Sequence, residues 1–290
     1  MDLTVQNEYL RVSAETLGAQ LRYIVSTDGT DYLWRGDDVF WSDRAPVLFP
    51  YVGRLTGGQY FYQGKYYPMT IHGFASAAQF RAEQISAAEM RFHLEHSPET
   101  MAIYPFCFRF TISYRLEENR LIQTYTVTNT GTGNQYFGIG SHHGFNVPLT
   151  PGFSFEDYTL TFDSDAAPVR LDLSPDCFPT GAQLPFPLED HTLPLRHDLF
   201  DRDAIVLGQP GSSIRLGSSK DTHSVTVDYH GIPYLALWHT PKTQAPYVCI
   251  EPWFSLPSRK DVLEDLRSQP SLLLLEPGAT HTSTLRFTFT

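Results

Sequence analysis

Hydrophobic and polar residues alternate along most of this chain, which is the pattern of half-buried β-strands. In the stretch FCFRFTISYRL, residues 106–116, aromatic and aliphatic side chains recur at every second position. A polar turn then leads into RLIQTYTVTNTG, residues 120–131, which is rich in β-branched residues. These two stretches predict a hairpin with one apolar face.

The same pattern recurs elsewhere in the chain. QYFYQGKYYPM (59–69) predicts two aromatic strands around a Gly-Lys turn, SIRLGSSKDTHSVTVDY (213–229) predicts another hairpin, and Leu285, Phe287 and Phe289 alternate in a last strand. Only RKDVLEDLRSQP (259–270) has helix formers over about two turns. The proline-rich segment 165–198 carries regularly spaced apolar residues, so we expect an ordered excursion over a sheet.

The pattern therefore predicts an all-β chain with few short helices. A single sheet would leave one face too apolar for water, so two large antiparallel sheets packed face to face are expected. No repeat or linker-like run divides the sequence, and residues 1–290 are expected to form one domain.

Composition and charge narrow the function class. The 290 residues are 41% hydrophobic and carry a formal net charge of -11, which disfavours nucleic acid as a partner because phosphate binding requires Lys and Arg. No secretory signal and no apolar segment long enough to span a bilayer is recognisable, so we expect a cytoplasmic protein without a membrane partner. The three cysteines lack CxxC spacing, which argues against a cysteine-rich zinc site.

Two stretches place an ionisable side chain beside glycine. In FPYVGRLTGG (49–58), Arg54 could offer its planar fork of donors to ligand oxygens, although from this stretch alone a surface arginine near the start of a hairpin is the more common explanation. In MTIHGFAS (69–76), His72 could bind a substrate hydroxyl or be a structural histidine.

Two further stretches carry the strongest chemistry. GIGSHHGFNVPL (138–149) contains His142 and His143, and adjacent residues of a strand point to opposite faces, so at most one of them faces a site. In VCIEPWFSLPS (248–258), Glu251 closes an apolar run before Pro252. A buried carboxylate there is either functional or paired with a cation, and burial raises its pKa towards the range of a general base.

Other catalytic motifs are missing from the sequence. There is no HxH or HExxH spacing, so no metal site is predicted, and no GxSxG, GxxxxGK[ST] or strand-linked GxGxxG pattern occurs.

PYVGRLTGGQYFYQGKYYPM, IHGF, GSHHGFNVPL, LFDRDAIVL and VCIEPWFSLPS occur in this order, and together they resemble the aldose 1-epimerase (galactose mutarotase) family, in particular its bacterial mutarotase-like branch of lactose and galactose operons. The resemblance runs from about residue 20 to the C-terminus. It implies a galactose-mutarotase-like β-supersandwich that interconverts the α and β anomers of a free aldose without a cofactor.

The resemblance also implies roles for individual residues. His142, three positions before Phe145, corresponds to the general acid, and Glu251 to the general base. The implied sugar-binding residues are Arg54, His72, Asp203 (or Asp201 if the alignment slips), Trp238 and Trp253. His142 would be protonated and Glu251 ionised before each turnover, which predicts a bell-shaped pH profile.

The chain departs from the branch at three positions. His143 stands where proline is common, and Ser255 and Ser258 stand where glycine and aspartate are frequent, which leaves the sugar specificity open. One alternative is a hexose-6-phosphate mutarotase, which needs a basic cluster for the phosphate. Another is a carbohydrate-binding or regulatory protein that has lost catalysis. A small sugar is the expected ligand in each case, bound by a monomer or a homodimer.

Overall fold

The computed structural model describes residues 1–164 and 166–290. Within these residues antiparallel strands dominate. The strands are β1 Asp2–Gln6, β2 Leu10–Glu15, β3 Leu21–Ser26, β4 Val47–Leu48, β5 Gln59–Tyr62, β6 Lys65–Pro68, β7 Arg81–Ser86, β8 Glu89–Glu95, β9 Phe108–Glu117, β10 Arg120–Asn129, β11 Gln135–Phe137, β12 Gly140–Ser141, β13 His143–Asn146, β14 Thr159–Phe162, β15 Val169–Leu173, β16 Pro179–Pro185, β17 Thr192–Pro194, β18 Ile205–Gly208, β19 Ser213–Gly217, β20 Val225–Asp228, β21 Tyr234–Trp238, β22 Tyr247–Trp253, β23 Leu273–Leu275 and β24 Thr280–Phe289.

Two large sheets form the body of the fold. One has nine strands in the order β17-β14-β19-β20-β24-β10-β9-β8-β7, and the other has eight in the order β16-β15-β18-β21-β22-β12-β4, with β13 also paired to β22. A three-stranded sheet β1-β2-β3 and the pairs β5-β6 and β11-β23 complete the strand pairing of the described residues. The all-β prediction with two large antiparallel sheets is therefore confirmed, as are the hairpins β9-β10, β5-β6 and β19-β20.

The main core lies between the two large sheets. Strand β9 contributes Phe108, Phe110 and Ile112 to it, and β22 contributes Val248 and Ile250. The alternate side chains of the eight-stranded sheet point away from this core and form two smaller apolar clusters on its other face. The candidate active site lies on that outer face.

The helix predicted at 259–270 does not form, so that prediction was wrong. The segment instead runs beside β5, where the Phe61 N–H donates to the Glu264 carbonyl at 2.8 Å and the Leu266 N–H donates to the Phe61 carbonyl at 3.1 Å. Asp261 adopts a φ of 58°, which no helix accommodates. Tertiary hydrogen bonds have overridden a helix propensity that is only a weak preference.

The α-helix among the described residues is α1, Pro98–Ile103, which the sequence analysis missed. Its signal was present, since the Ser97 hydroxyl caps the Thr100 N–H and proline occupies the first turn. Short 3₁₀ turns occur at Thr56–Gly58, Ala75–Ala77, Phe155–Asp157 and His197–Phe200. No helix in the described part of the chain combines the length and apolar character needed to cross a bilayer.

We expected the segment 165–198 to be an excursion over a sheet, and that expectation was wrong. Its strands belong to the two large sheets themselves. Residue 165 lies outside the described residues, and the rest contains β15, β16 and β17. Strands β15 and β16 form a hairpin at one edge of the eight-stranded sheet, and β17 is an edge strand of the other. The proline-containing strands β16 and β17 are both edge strands, where proline is tolerated.

Candidate active site

Strand β22 places Glu251 on the outer face of the eight-stranded sheet. Because side chains alternate along a strand, Glu251 and Trp253 point away from the main core while Val248 and Ile250 point into it. Glu251 lies inside the strand and not at its end, and Pro252 is also part of the ladder, opposite Leu235. Pro252 therefore does not end the strand.

The strand register brings His142 next to Glu251. Gly140 pairs with Trp253 and His143 with Ile250, so the unchanged register between these pairs puts His142 across from Glu251. The His142 Nε2 atom lies 3.4 Å from the Glu251 Oε2 atom. Both residues are buried, with 9% and 1% of their surfaces exposed, so the two groups are held together in a largely water-free wall.

His143 points to the opposite face, as strand alternation predicts. Its ring lies in the main core, 4.6 Å from the Phe287 ring, and neither ring nitrogen has a hydrogen-bond partner. Burial lowers its pKa to about 3, so this imidazole is neutral. His143, which stands where proline is common in the resembling branch, is therefore a core residue.

A pocket of about 420 Å³ opens beside the His142–Glu251 pair. All seven residues selected from the sequence line it, namely Arg54, His72, His142, Asp203, Trp238, Glu251 and Trp253. They come from separate parts of the chain, and the fold brings them together around one cavity. Asp201 is not among the lining residues of the described chain, so the register that selects Asp203 is the one consistent with the pocket.

The Arg54–His72 side of the pocket depends on two glycines. Gly53 has a φ of 73°, and a Cβ atom there would lie 2.3 Å from the Pro257 ring. Gly73 has a φ of 79°, and a Cβ atom there would lie 2.2 Å from the Phe49 carbonyl oxygen. Only glycine fits either position, because an L-side chain would meet both strain and a clash.

His72 is oriented by the backbone of Gly53, whose N–H donates to His72 Nδ1 at 3.1 Å. The neutral ring therefore carries its proton on Nε2. Desolvation, aided by the positive charge of Arg54, lowers the pKa of His72 to about 4. His72 can thus donate one hydrogen bond from Nε2, while Arg54 is exposed at the pocket rim.

The electrostatics of the central pair reverse the expected protonation states. Desolvation, with smaller contributions from His72 and His143, holds the pKa of His142 well below its ordinary value. Desolvation and the nearby Asp203 carboxylate raise the pKa of Glu251 well above its ordinary value. Although the two groups lie at ion-pair distance, burial favours the neutral imidazole of His142 and the neutral carboxyl of Glu251.

Asp203 reaches the pocket from the turn before β18. Its φ is 73°, and one carboxylate oxygen accepts the Ala204 N–H at 2.9 Å while the other accepts the Cys177 thiol at 3.1 Å. Cys177 also lines the pocket, together with Leu173 of β15. The sequence analysis missed both residues, since nothing in the local sequence links that hairpin to a site.

Aromatic rings form another wall of the pocket. The indole of Trp41 lies 4.8 Å from the His142 ring at 31°, and Trp238 meets the same imidazole edge-on at 5.6 Å. Trp41 was missed because it lies in an irregular loop, residues 37–46, without periodicity. The two indoles cover the imidazole and exclude water from it.

Ser255 and Ser258 are fully buried and are not among the described residues that line the pocket. The Ser258 N–H donates to the Arg54 carbonyl at 2.9 Å, and its hydroxyl accepts the Thr56 N–H at 2.8 Å. Ser258 therefore supports the Arg54 segment from behind, whereas the Ser255 hydroxyl has no hydrogen-bond partner among the described residues.

Within the described residues, one cluster of three or more side chains could hold a metal ion, namely His142, Cys249 and Glu251. Their donor atoms lie within 4.8 Å of one another, whereas the donors of a closed tetrahedral zinc site are roughly 3.5 Å apart. Cys249 and Glu251 are two positions apart on β22 and therefore share one face of the strand. None of the metal motifs sought in the sequence has this spacing. The absence of a metal remains a prediction.

Comparisons with known proteins agree with this architecture. The aldose 1-epimerase family model matches residues 1–288. The LacX proteins of Lactococcus lactis subsp. lactis, plasmid and chromosomal, are 32% identical over 96% of this chain and 95% of their own length. A galactose mutarotase related enzyme from Lactobacillus acidophilus has 32% identity and a TM-score of 0.93, covering 100% of this chain and 97% of its own. A galactose mutarotase-like protein from Lactobacillus casei has 31% identity and a TM-score of 0.94 over all of both chains. The fold is thus the galactose mutarotase-like fold, and the chain belongs to the aldose 1-epimerase family.

Proposed function

We propose that this protein is an aldose 1-epimerase that interconverts the α and β anomers of a free, uncharged hexose such as galactose or glucose. The observation that carries the proposal is the His142–Glu251 pair, 3.4 Å apart in the wall of a pocket of about 420 Å³. That volume is in the range of small-molecule sites. Anomer exchange needs one acid and one base side by side, and no cofactor.

One proton, passed between Glu251 and His142, lets the pair act as both the base and the acid. Moving that proton from Glu251 to His142 gives a carboxylate and an imidazolium. The carboxylate then removes the proton of the C1 hydroxyl while the imidazolium protonates the ring oxygen, and the ring opens. After rotation about the C1–C2 bond the same groups act in reverse, so the pair ends each turnover with the proton it began with.

Sugar hydroxyls that donate to the Glu251 carboxylate favour its ionised form, because hydrogen bonds to the charged state lower a carboxyl pKa. Arg54 and the Nε2–H of His72 are proposed to bind sugar oxygens, and Asp203 to accept from sugar hydroxyls. Trp238 and Trp253 are proposed to form the apolar wall against the ring.

The phosphorylated-sugar alternative is disfavoured by the charges around the pocket. Arg54 is the only lysine or arginine among the described lining residues, against the carboxyl groups of Asp43, Asp203 and Glu251. A phosphate group needs several positive donors and is repelled by carboxylates. A free hexose therefore fits the pocket better than a hexose 6-phosphate.

The proposal includes the setting in which the enzyme acts. Residues 1–290 are proposed to work as one mutarotase-like domain, as a monomer or homodimer, in the cytoplasm. The acidic composition, with a formal net charge of -11, favours solubility.

The test is the rate of anomer exchange for α-galactose and α-glucose, followed by polarimetry or NMR exchange. We expect wild-type protein to accelerate exchange, and His142→Ala and Glu251→Gln to lower kcat by about 10²- to 10⁴-fold each. His143→Phe is the matched control, because it alters the neighbouring histidine on the core side. The enzyme reading fails if wild type binds sugar without accelerating exchange, and the phosphate alternative gains if the 6-phosphates are strongly preferred or inorganic phosphate inhibits.

A further inference from the structure

The hairpin β15-β16 delivers a thiol to the proposed sugar-binding carboxylate. Its connection, residues 174–178, is a tight turn in which the Cys177 N–H donates to the Ser174 carbonyl at 2.8 Å. From this turn the Cys177 thiol donates to Asp203 Oδ2 at 3.1 Å. The contact joins two segments that are 26 residues apart in the chain.

The backbone at Cys177 is unfavourable for a residue with a side chain. Its φ of 65° is in the left-handed region, where glycine is preferred and other residues cost about 1 kcal/mol. A turn of this kind would be more stable with glycine, so the presence of cysteine points to a use for the side chain.

An exposed ion pair links the turn to another segment of the chain. Lys260 Nζ lies 3.5 Å from Asp176 Oδ2, which connects the turn to the segment after β22. Burial and the Asp203 carboxylate raise the pKa of the Cys177 thiol to about 12, so it stays protonated at neutral pH and remains a donor.

We infer that Cys177 is a positioning residue that orients the Asp203 carboxylate towards the hydroxyls of the bound sugar. The inference rests on the proposed function of the pocket and extends it to the hairpin β15-β16. With Oδ1 held by the Ala204 N–H and Oδ2 by the thiol, the plane of the carboxylate is set before a ligand arrives. Each oxygen keeps a lone pair for a sugar hydroxyl. Preorganisation of this kind lowers the cost of binding.

The test compares three variants by steady-state kinetics and thermal unfolding. Cys177→Gly removes the donor and relaxes the backbone, Cys177→Ser keeps an O–H donor, and Gln63→Gly relaxes another left-handed residue, of φ 47°, at the remote β5-β6 turn. We expect Cys177→Gly to raise KM about three- to tenfold with kcat within about twofold, since a thiol is a weak donor to a charged acceptor. Its melting temperature should stay equal or rise, as for Gln63→Gly, and Cys177→Ser should restore KM to within about twofold of wild type.

A double-mutant cycle isolates the contact. In an Asp203→Ala background, Cys177→Gly should leave KM unchanged, because the group it orients is gone. An unchanged KM for Cys177→Gly in otherwise wild-type protein overturns the inference, as does an equal rise in the Asp203→Ala background or the absence of rescue by serine.

The failure of this inference and of the proposed function are separate results. If wild type does not accelerate anomer exchange, the proposed function fails. The same variants are then compared by NMR titration with galactose and glucose, where the dissociation constant replaces KM. A Cys177→Gly dissociation constant equal to that of wild type, or no detectable sugar binding by wild type, overturns the positioning role.

Discussion

Replacing Glu251 by glutamine should both inactivate the protein and increase its free energy of unfolding. In the folded protein burial and the Asp203 charge raise the pKa of Glu251 above its ordinary value of 4.5, whereas in the unfolded chain the carboxyl ionises freely. As pH rises above 4.5, ionisation of the carboxyl lowers the free energy of the unfolded state but not that of the folded state. The free energy of unfolding of the wild type therefore falls. Glutamine has nearly the same shape and no such penalty.

The size of both effects follows from the same environment. Loss of one proton-transfer group costs about 10²- to 10⁴-fold in kcat, or roughly 3–5 kcal/mol of transition-state stabilisation. Each unit of pKa shift between the folded and unfolded states corresponds to about 1.4 kcal/mol. We therefore expect Glu251→Gln to gain at least about 1 kcal/mol at pH 8, or about 2 °C in melting temperature, and to gain nothing at pH 4.

The assay is thermal unfolding of wild type and variant from pH 4 to pH 9, with anomer exchange measured in parallel. Glu264→Gln is the matched control, because Glu264 is also 1% exposed but its two oxygens accept the Arg259 guanidinium, each at 2.9 Å. Although desolvation opposes it, Arg259 lowers the pKa of Glu264, so this ion pair stabilises the fold above pH 4.5 and is lost as pH falls through the lowered pKa. Glu264→Gln should be destabilised at pH 8. If both glutamine variants lose stability there, the account of Glu251 is refuted.

Three further predictions concern aromatic and histidine side chains. His143→Phe should raise the free energy of unfolding by about 1 kcal/mol at pH 7 and more at pH 5, with kcat unchanged, because it removes two unpaired buried nitrogens; a denaturant titration with rate measurements checks this. His223→Asn should destabilise the protein more at pH 6 than at pH 8.5 in thermal melts, because its hydrogen bond to Asp28 raises the pKa of His223, and the stabilisation it brings is lost as pH rises through that value. Trp41→Leu should lower kcat and move the acidic limb of the pH–rate profile, since the indole covers the His142 ring at 4.8 Å; an unchanged profile would contradict that contact.

The protonation states of the central pair also change the expected pH profile. A lowered pKa for His142 and a raised pKa for Glu251 keep one proton on the pair over a wide pH range. The profile should therefore be a broad plateau across neutral pH with limbs on either side, wider than the bell expected from the sequence. A narrow optimum near pH 6 would contradict the desolvation of the pair.

The alternation of apolar and polar residues determined the all-β class, because a strand exposes every second side chain to the same environment. It also separated His142 from His143, which lie on opposite faces as that rule requires. These conclusions need only local geometry.

Other features depended on contacts between distant segments. The stretch 259–270 has helix formers, yet hydrogen bonds to Phe61 draw it alongside β5. Cys177 and Trp41 join the pocket only because the β15-β16 hairpin and the loop 37–46 fold over it. The sequence also did not reveal the protonation of the pair, because desolvation depends on burial in the folded protein. Burial on the outer face of the sheet lowers the pKa of His142 and raises that of Glu251.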